Sequence, residues 1–325
     1  MMTSLEICSG AGGQSIGLEK ADFEHAALVE IDEHCCATLR ANRPDWPVFG
    51  GGVAGDVTQF DATPFRGKID LLAGGIPCPP FSVAGKKLGE LDERNLFPDV
   101  FRIIEEVDPR AVMIENVPGI LSAQFDEYRQ RIVDLLDTFG YETFWEKFNA
   151  CDFGVPQFRP RAILVAIERE SAKGFSWPVP RLASAETVGE KLIDLMAARG
   201  WKGAKAWAKG ANKIAPTIVG GSKKHGGPDL GPTRSKQAWA ALGVNGHLIG
   251  NEAPDKDFVG NPTLTVRMVA RLQGFPDDWE ITGKKTNAYR QIGNAFPPPV
   301  AQAVSEQILK CLSAASSRSR SKAAS

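Results

Sequence analysis

The first 170 residues alternate short apolar runs with stretches of helical periodicity, and that alternation leaves few folds open. Runs at 5–8, 26–30, 69–73, 111–115, 142–149 and 162–167 read as strands. Between them, Leu96, Phe97, Val100, Phe101, Ile104 and Val107 share one helical face. Phe125, Tyr128, Ile132, Leu135, Leu136 and Phe139 share another, which Gly140 ends. Strands separated by helices in this way form βαβ units and a mostly parallel sheet. The expected fold is therefore α/β, a doubly wound, Rossmann-like sheet. In such sheets ligands bind beyond the carboxyl ends of the strands, so the residues just after each apolar run are the first candidates for chemistry.

From about residue 175 to 257 the pattern changes. Gly and Pro become dense, Lys and Trp appear (Trp177, Trp201, Trp207, Trp239), and periodicity fades, which predicts a second, smaller, loop-rich domain. Helical patterns return at 265–272 and again from Pro297-Pro298-Pro299 through Val300, Val304, Ile308 and Cys311. The Ser-rich basic tail, 313–325, is expected to be disordered. The predicted organisation is thus an α/β domain, 1–170, completed by 261–312, with an insert at 171–260.

Charge divides along the same lines. Residues 1–170 carry 16 Lys and Arg against 28 Asp and Glu, a net of −12, whereas 171–260 carry 13 against 7 and 261–325 carry 9 against 4. An acidic half joined to a basic half suggests a polyanion held by the second. The six cysteines show no C-x-x-C spacing and do not cluster with the four histidines, which argues against a zinc site or a disulfide framework. No apolar run is long enough to span a bilayer and the N-terminus lacks a signal segment, so the cytoplasm is the expected location.

Four stretches carry candidate chemistry. Ser9-Gly10-Ala11-Gly12-Gly13 follows the first strand and opens a helix; its glycines let a ligand approach the backbone, and the amides of a helix start suit an anion. Glu30, ending the next strand, stands where a carboxylate takes ribose hydroxyls, and Asp56, expected at a third strand end, could accept from an adenine amino group. An adenosine-bearing cofactor follows. Cys78 sits after the 69–73 strand in Pro77-Cys78-Pro79-Pro80, at a strand's carboxyl end and stiffened by prolines. A lone cysteine is more often a core residue; its company decides. Glu115, ending the 111–115 strand, would have a raised pKa in a poorly solvated pocket and could donate a proton, or could be an ordinary ion-paired Glu. Arg159 and Arg161 fall on one side of an extended segment and could bind phosphate or a base carbonyl, or lie in solvent.

Taken in order, these pieces resemble the DNA cytosine-5 methyltransferases that use S-adenosylmethionine. The matching stretches are Gly10-Ala11-Gly12-Gly13, Glu30-Ile31-Asp32, Gly55-Asp56-Val57, Pro77-Cys78 with Phe81-Ser82, Glu115-Asn116-Val117, Gln157-Phe158-Arg159-Pro160-Arg161, Arg271-Leu272-Gln273-Gly274-Phe275-Pro276 and Gln291-Ile292-Gly293-Asn294-Ala295. The unmatched stretch, 175–257, is where that family keeps its variable target-recognition domain. One departure is Cys8, where many members have a phenylalanine that stacks on the cofactor adenine.

The resemblance implies a role for each residue. Cys78 would be the nucleophile toward a flipped cytosine, with Glu115, Arg159 and Arg161 as the other catalytic groups. Cys8, Ser9, Gly10, Gly12, Gly13, Glu30, Ile31, Asp56, Val57, Pro77, Asn294 and Ala295 would contact S-adenosylmethionine, and no metal is expected. The stretch 82–95 resembles the family's mobile loop, so Ser82, Lys86, Lys87 and Arg94 are expected to meet DNA. In the insert, charge nominates Lys223, Lys224, Arg234 and Lys236. The expected partner is double-stranded DNA, possessed by a monomer with or without a cognate restriction endonuclease. RNA as substrate and a catalytically silent DNA-binding relative are the alternatives. A nicotinamide-dependent oxidoreductase would leave Pro77-Cys78 and Glu115-Asn116-Val117 without a role.

Overall fold

A computed structural model of the protein describes residues 1–77, 95–180, 186–220 and 228–323, with side chains to residue 315. The chain forms two compact units: 1–148 with 160–179 and 300–325, and 149–159 with 180–299. The sequence boundaries differ from these, since 261–299 groups with the second unit and only the stretch from Val300 onward with the first. Charge follows the units as well. The first holds 20 Lys and Arg against 28 Asp and Glu, a net of −8; the second holds 18 against 11, a net of +7.

The first unit is built on seven strands: β1 (Met2–Ile7), β2 (Phe23–Glu30), β3 (Val48–Gly50), β4 (Leu71–Gly75), β5 (Ala111–Asn116), β6 (Tyr141–Asn149) and β7 (Pro160–Glu168). They lie in the order β3-β2-β1-β4-β5-β7-β6. Pairs β1·β2, β2·β3, β1·β4 and β4·β5 are parallel, and β5·β7 is antiparallel. Strand order therefore reverses between β1 and β4, which makes the crevice beyond their carboxyl ends the expected ligand site. Because β7 runs against β5, it begins at the edge where β5 ends, with Asn116 opposite Ala162. Two features escape the sequence reading: β3 is too short to show a period, and the reversed sense of β7 leaves no local mark.

Helices α1 (Gly13–Lys20), α2 (Glu33–Asn42), α3 (Gly52–Gly55), α4 (Phe97–Val107), α5 (Asp126–Thr138) and α6 (Arg169–Ala172) follow these strands. Leu5, Ile7, Leu72, Val112 and Ile114 share a core with Phe97, Val100, Ile103, Ile104 and Val107 of α4, together with Ile132 and Leu136 of α5. Each such side chain contributes roughly 1.5–3 kcal/mol by leaving water. The helix patterns read from sequence are thus the patterns that are buried.

In the second unit, α7 (Val188–Ala197), α8 (Ala204–Gly210) and α9 (Thr233–Ala240) occupy parts of the insert where loops were expected; α10 (Val266–Leu272) is the helix read at 265–272, and α11 (Lys285–Asn294) follows it. Helix α7 carries a capping box, Thr187 accepting from Glu190 N while the Glu190 side chain accepts from Thr187 N. That T-x-x-E signature is legible in sequence. Trp201, Trp207 and Trp239 are buried, so they make a core here. The last helix, α12 (Pro298–Ala323), runs well past residue 313, where the sequence reading expected disorder. Once a helix is nucleated, each added residue costs little, and Ala, Arg and Lys propagate it well. No helix among the described residues is long and apolar enough to cross a membrane.

The opposite face of the sheet is also buried but holds polar groups: Ser305 of α12 meets Met113, and Glu6, wholly buried near the end of β1, faces Ser15 of α1. Burial pushes the Glu6 carboxyl up to about 8, Ser15 pulls it partly back, and the nearby Glu30 charge adds to the rise. Between pH 4.5 and 8 the folded chain therefore holds a proton that the unfolded chain has released, so stability falls as pH rises through that window. At pH 7 the cost is about 3 kcal/mol. Glu6→Gln is expected to remove it: urea unfolding should find the variant more stable than wild type at pH 8 and level with it at pH 4. A variant less stable at pH 8 would show Glu6 to be charged and partnered there.

Candidate active site

The turn from β1 to α1 is wound by left-handed residues, with φ of 52° at Cys8, 56° at Gly10 and 88° at Gly12. A Cβ added at Gly10 would meet nothing within 4 Å, so the space above its backbone is open. Cys8 takes this conformation with a side chain, which costs strain of a kind that gathers at functional sites. It packs half-buried against the core. Gly12 starts α1 with no side-chain cap, leaving its first turn suited to an anion.

Glu30 joins this turn to the next. It is 7% exposed, and its two oxygens accept from Gly10 N and Asp32 N, both at 2.7 Å. Burial raises the Glu30 pKa above its ordinary value, and the two amides draw it back. Ile31 beside it is 59% exposed, an apolar side chain left in the open. The Ser9 hydroxyl donates to Glu6 O at 3.3 Å. Asp56 does not end a strand: β3 stops at Gly50 and α3 intervenes, so Asp56 caps that short helix. Its carboxylate accepts from Thr58 Oγ1 at 2.8 Å, Thr58 N at 3.0 Å and Gln59 Nε2 at 2.8 Å, and these bonds, the Thr58 hydroxyl first, hold its pKa low. Val57 next to it is core.

One residue was missed from sequence. Gln14, the second residue of α1, is 3% exposed, and both its carboxamide atoms lack a partner among the described residues. A polar side chain inside a glycine turn was the available signal. Open backbone at Gly10, an exposed apolar Ile31 and the carboxylate of Glu30 together offer an adenosine-bearing amino-acid cofactor the groups it requires. The residues present fit S-adenosylmethionine.

At the end of β5 the geometry is tight. Glu115 and Arg161 form an ion pair, Nε to Oε1 at 2.5 Å, with side chains 11% and 13% exposed. Glu115 is thus not isolated in an apolar pocket; it lies opposite Gly75 on one side and Ile163 on the other. Arg161 also donates from Nη1 to its neighbour Pro160 O at 2.8 Å. Pro77 follows β4 and is exposed. Cys78, Ser82, Lys86, Lys87, Arg94, Lys223 and Lys224, and with them the expected mobile loop, lie outside the described residues.

The remaining candidates belong to the second unit. Arg159, expected to serve as a ligand group like Arg161, is 1% exposed and donates instead to backbone carbonyls: Ile218 O at 2.6 Å, Gly293 O at 2.8 Å and Ala295 O at 3.0 Å. A buried guanidinium must be hydrogen-bonded, and here peptide groups satisfy it. Gln273 adds a bond to Ala295 O at 2.6 Å and receives one from Gln157 at 2.7 Å. Asn294 is exposed and Ala295 buried at the end of α11, so this network fixes the loop that carries both. Of the basic candidates, Arg234 is exposed on α9, whereas Lys236 is paired with Asp229 at 2.6 Å.

The sequence profile of the family described as C-5 cytosine-specific DNA methylase matches residues 2–310. The chain is 53% identical over 312 residues to the type II methyltransferase M.NaeI of Lentzea aerocolonigenes, covering 95% of this chain and 75% of that one. It is 50% identical over 319 residues to the type II methyltransferase M.NgoMIV of Neisseria gonorrhoeae, covering 95% and 98%. Among solved structures, the Entamoeba histolytica methyltransferase EhMeth superposes with a TM-score of 0.66 at 14% identity, over 96% of this chain and 99% of that one; this likeness is of fold alone. The chain belongs to the C-5 cytosine-specific DNA methylase family and is a DNA cytosine-5 methyltransferase with S-adenosylmethionine as its methyl donor.

Proposed function

We propose that the protein methylates carbon 5 of one cytosine within a specific duplex DNA sequence, through a covalent adduct on Cys78. The observation that carries this reading is the ion pair of Glu115 and Arg161, two groups of complementary hydrogen-bonding character at the carboxyl end of β5, whose neighbour in the sheet is β4, the strand that precedes Cys78 in the sequence. A cytosine inside a duplex hides its ring atoms, so the base must leave the stack to reach them. The Cys78 thiolate then forms a bond to carbon 6, and the electron pair of the 5,6 double bond moves toward carbon 5. Glu115 holds ring nitrogen 3 and Arg161 the carbonyl oxygen, where charge gathers. S-adenosylmethionine, when bound, supplies an electrophilic methyl group. Once carbon 5 carries that methyl group, with the cofactor's sulfonium left as a neutral thioether, its proton passes to water and the bond to Cys78 sulfur breaks, which restores both the double bond and the thiolate.

The net +7 of the second unit supports its holding the duplex, with Arg234, Lys223 and Lys224 as contact candidates. Similarity to two type II methyltransferases supports the modification half of a restriction-modification pair; work in the cytoplasm on the nucleoid, as a monomer, completes the proposal. Bisulfite sequencing of DNA from cells expressing the protein is expected to find protected cytosines at a single short motif. Unprotected DNA beside newly methylated RNA would overturn the choice of substrate.

Glu30 offers a separate test of the cofactor site. Glu30→Ala is expected to weaken S-adenosylmethionine binding by about 1.5–3 kcal/mol, the range for hydrogen bonds to a charged group. It also frees Gly10 N and Asp32 N, which the carboxylate now ties together. Calorimetry giving unchanged affinity would remove Glu30 from the site.

A further inference from the structure

We propose that Gln14 positions Glu115 for the reaction, its carboxamide taking the carboxyl oxygen that Arg161 leaves free. This rests on the reading of Glu115 given above. Arg161 Nε engages Glu115 Oε1 at 2.5 Å, so Oε2 is the oxygen that remains. Oε2 and the Gln14 carboxamide border one spot: a Cβ built on Gly75 would lie 3.4 Å from Glu115 Oε2 and 3.9 Å from Gln14 Oε1. Gln14 is 3% exposed and Glu115 8%, and neither carboxamide atom of Gln14 makes a hydrogen bond among the described residues, to Glu115 or to any other group. The oxygen and nitrogen of a carboxamide exchange places by a simple flip, so Gln14 can present Nε2 as the donor.

The sequence makes this juxtaposition possible. Register sets Gly75 opposite Glu115, and a side chain at position 75 would lie in contact with both groups. A carboxyl group held by one donor can still rotate about its last bond. Held on both oxygens it keeps one plane, and a group that must meet a ring nitrogen needs that plane fixed. Gln14 thus acts through Glu115 without touching the base.

The test is a double-mutant cycle read by single-turnover methyl transfer, with cofactor affinity measured by calorimetry. Gln14→Met keeps the shape and removes both hydrogen-bonding atoms. It is expected to slow transfer about tenfold to a hundredfold, with affinity for S-adenosylmethionine held within about twofold. In a Glu115→Gln background the same change should cost less than about twofold, because the residue it acts through is already altered. Gly75→Ala, which sets a methyl group against both side chains, should give the same pattern and serves if Gln14→Met does not fold. Equal losses in both backgrounds, lost cofactor affinity at an unchanged rate, or no change at all would each overturn the proposal. A Glu115→Gln variant with the wild-type rate overturns the reading of Glu115 and the proposal with it; a slowed Glu115→Gln with additive losses overturns the proposal alone.

Discussion

Cys78→Ser is expected to lose methyl transfer by at least about a thousandfold, since a serine hydroxyl at neutral pH is a far weaker nucleophile than a thiolate. Binding should survive. The substitution exchanges sulfur for oxygen in a side chain of nearly the same shape, so the cofactor turn at Gly10 and the Glu115–Arg161 pair are untouched by it. Tritium transfer from labelled cofactor, run beside a gel-shift on target duplex, checks both halves. Turnover near wild type in Cys78→Ser would take the nucleophile's role away from Cys78.

Arg161→Ala should fail in two ways at once. It leaves the Glu115 carboxylate nearly buried without its cation, and breaking such a pair from one side costs about 3–5 kcal/mol of stability. It also removes the donor proposed for the cytosine carbonyl, a loss on the order of a hundredfold to a thousandfold in rate. The two effects separate in Arg161→Lys, which keeps the charge but not the planar fork. That variant should recover much of the stability and little of the rate. Urea midpoints and turnover measured on both variants decide it; Arg161→Lys with full activity would mean that charge alone suffices at this position.

The central sheet was legible because its strands are buried on both faces and therefore nearly continuous in apolar residues, as Leu71, Leu72 and Ala73 are. Helices α4 and α5 were legible because one face of each is core. What was lost has a physical reason in each case. The Val48–Gly50 strand is three residues long, and the helices of the insert bury tryptophans at spacings set by the second unit's own core. Arg159 and Arg161 look equivalent two residues apart, yet one donates to three carbonyls and the other pairs with Glu115, a difference that only long-range contacts decide. Glu30 and Glu115 were nominated because strand ends are where this fold does chemistry. Gln14 was missed because a glutamine in a turn carries no signal until its burial is known.

The covalent step through Cys78 is tested most directly by trapping. A target duplex with 5-fluorocytosine at the methylated position lacks the carbon 5 proton whose removal lets sulfur leave, so the enzyme should stay bonded to the DNA when cofactor is present. The expected result is a shifted band on a denaturing gel, absent in Cys78→Ala, with the modified peptide mapped by mass spectrometry to Cys78. No band with the correct duplex and cofactor, or a band that persists in Cys78→Ala, would contradict the covalent mechanism.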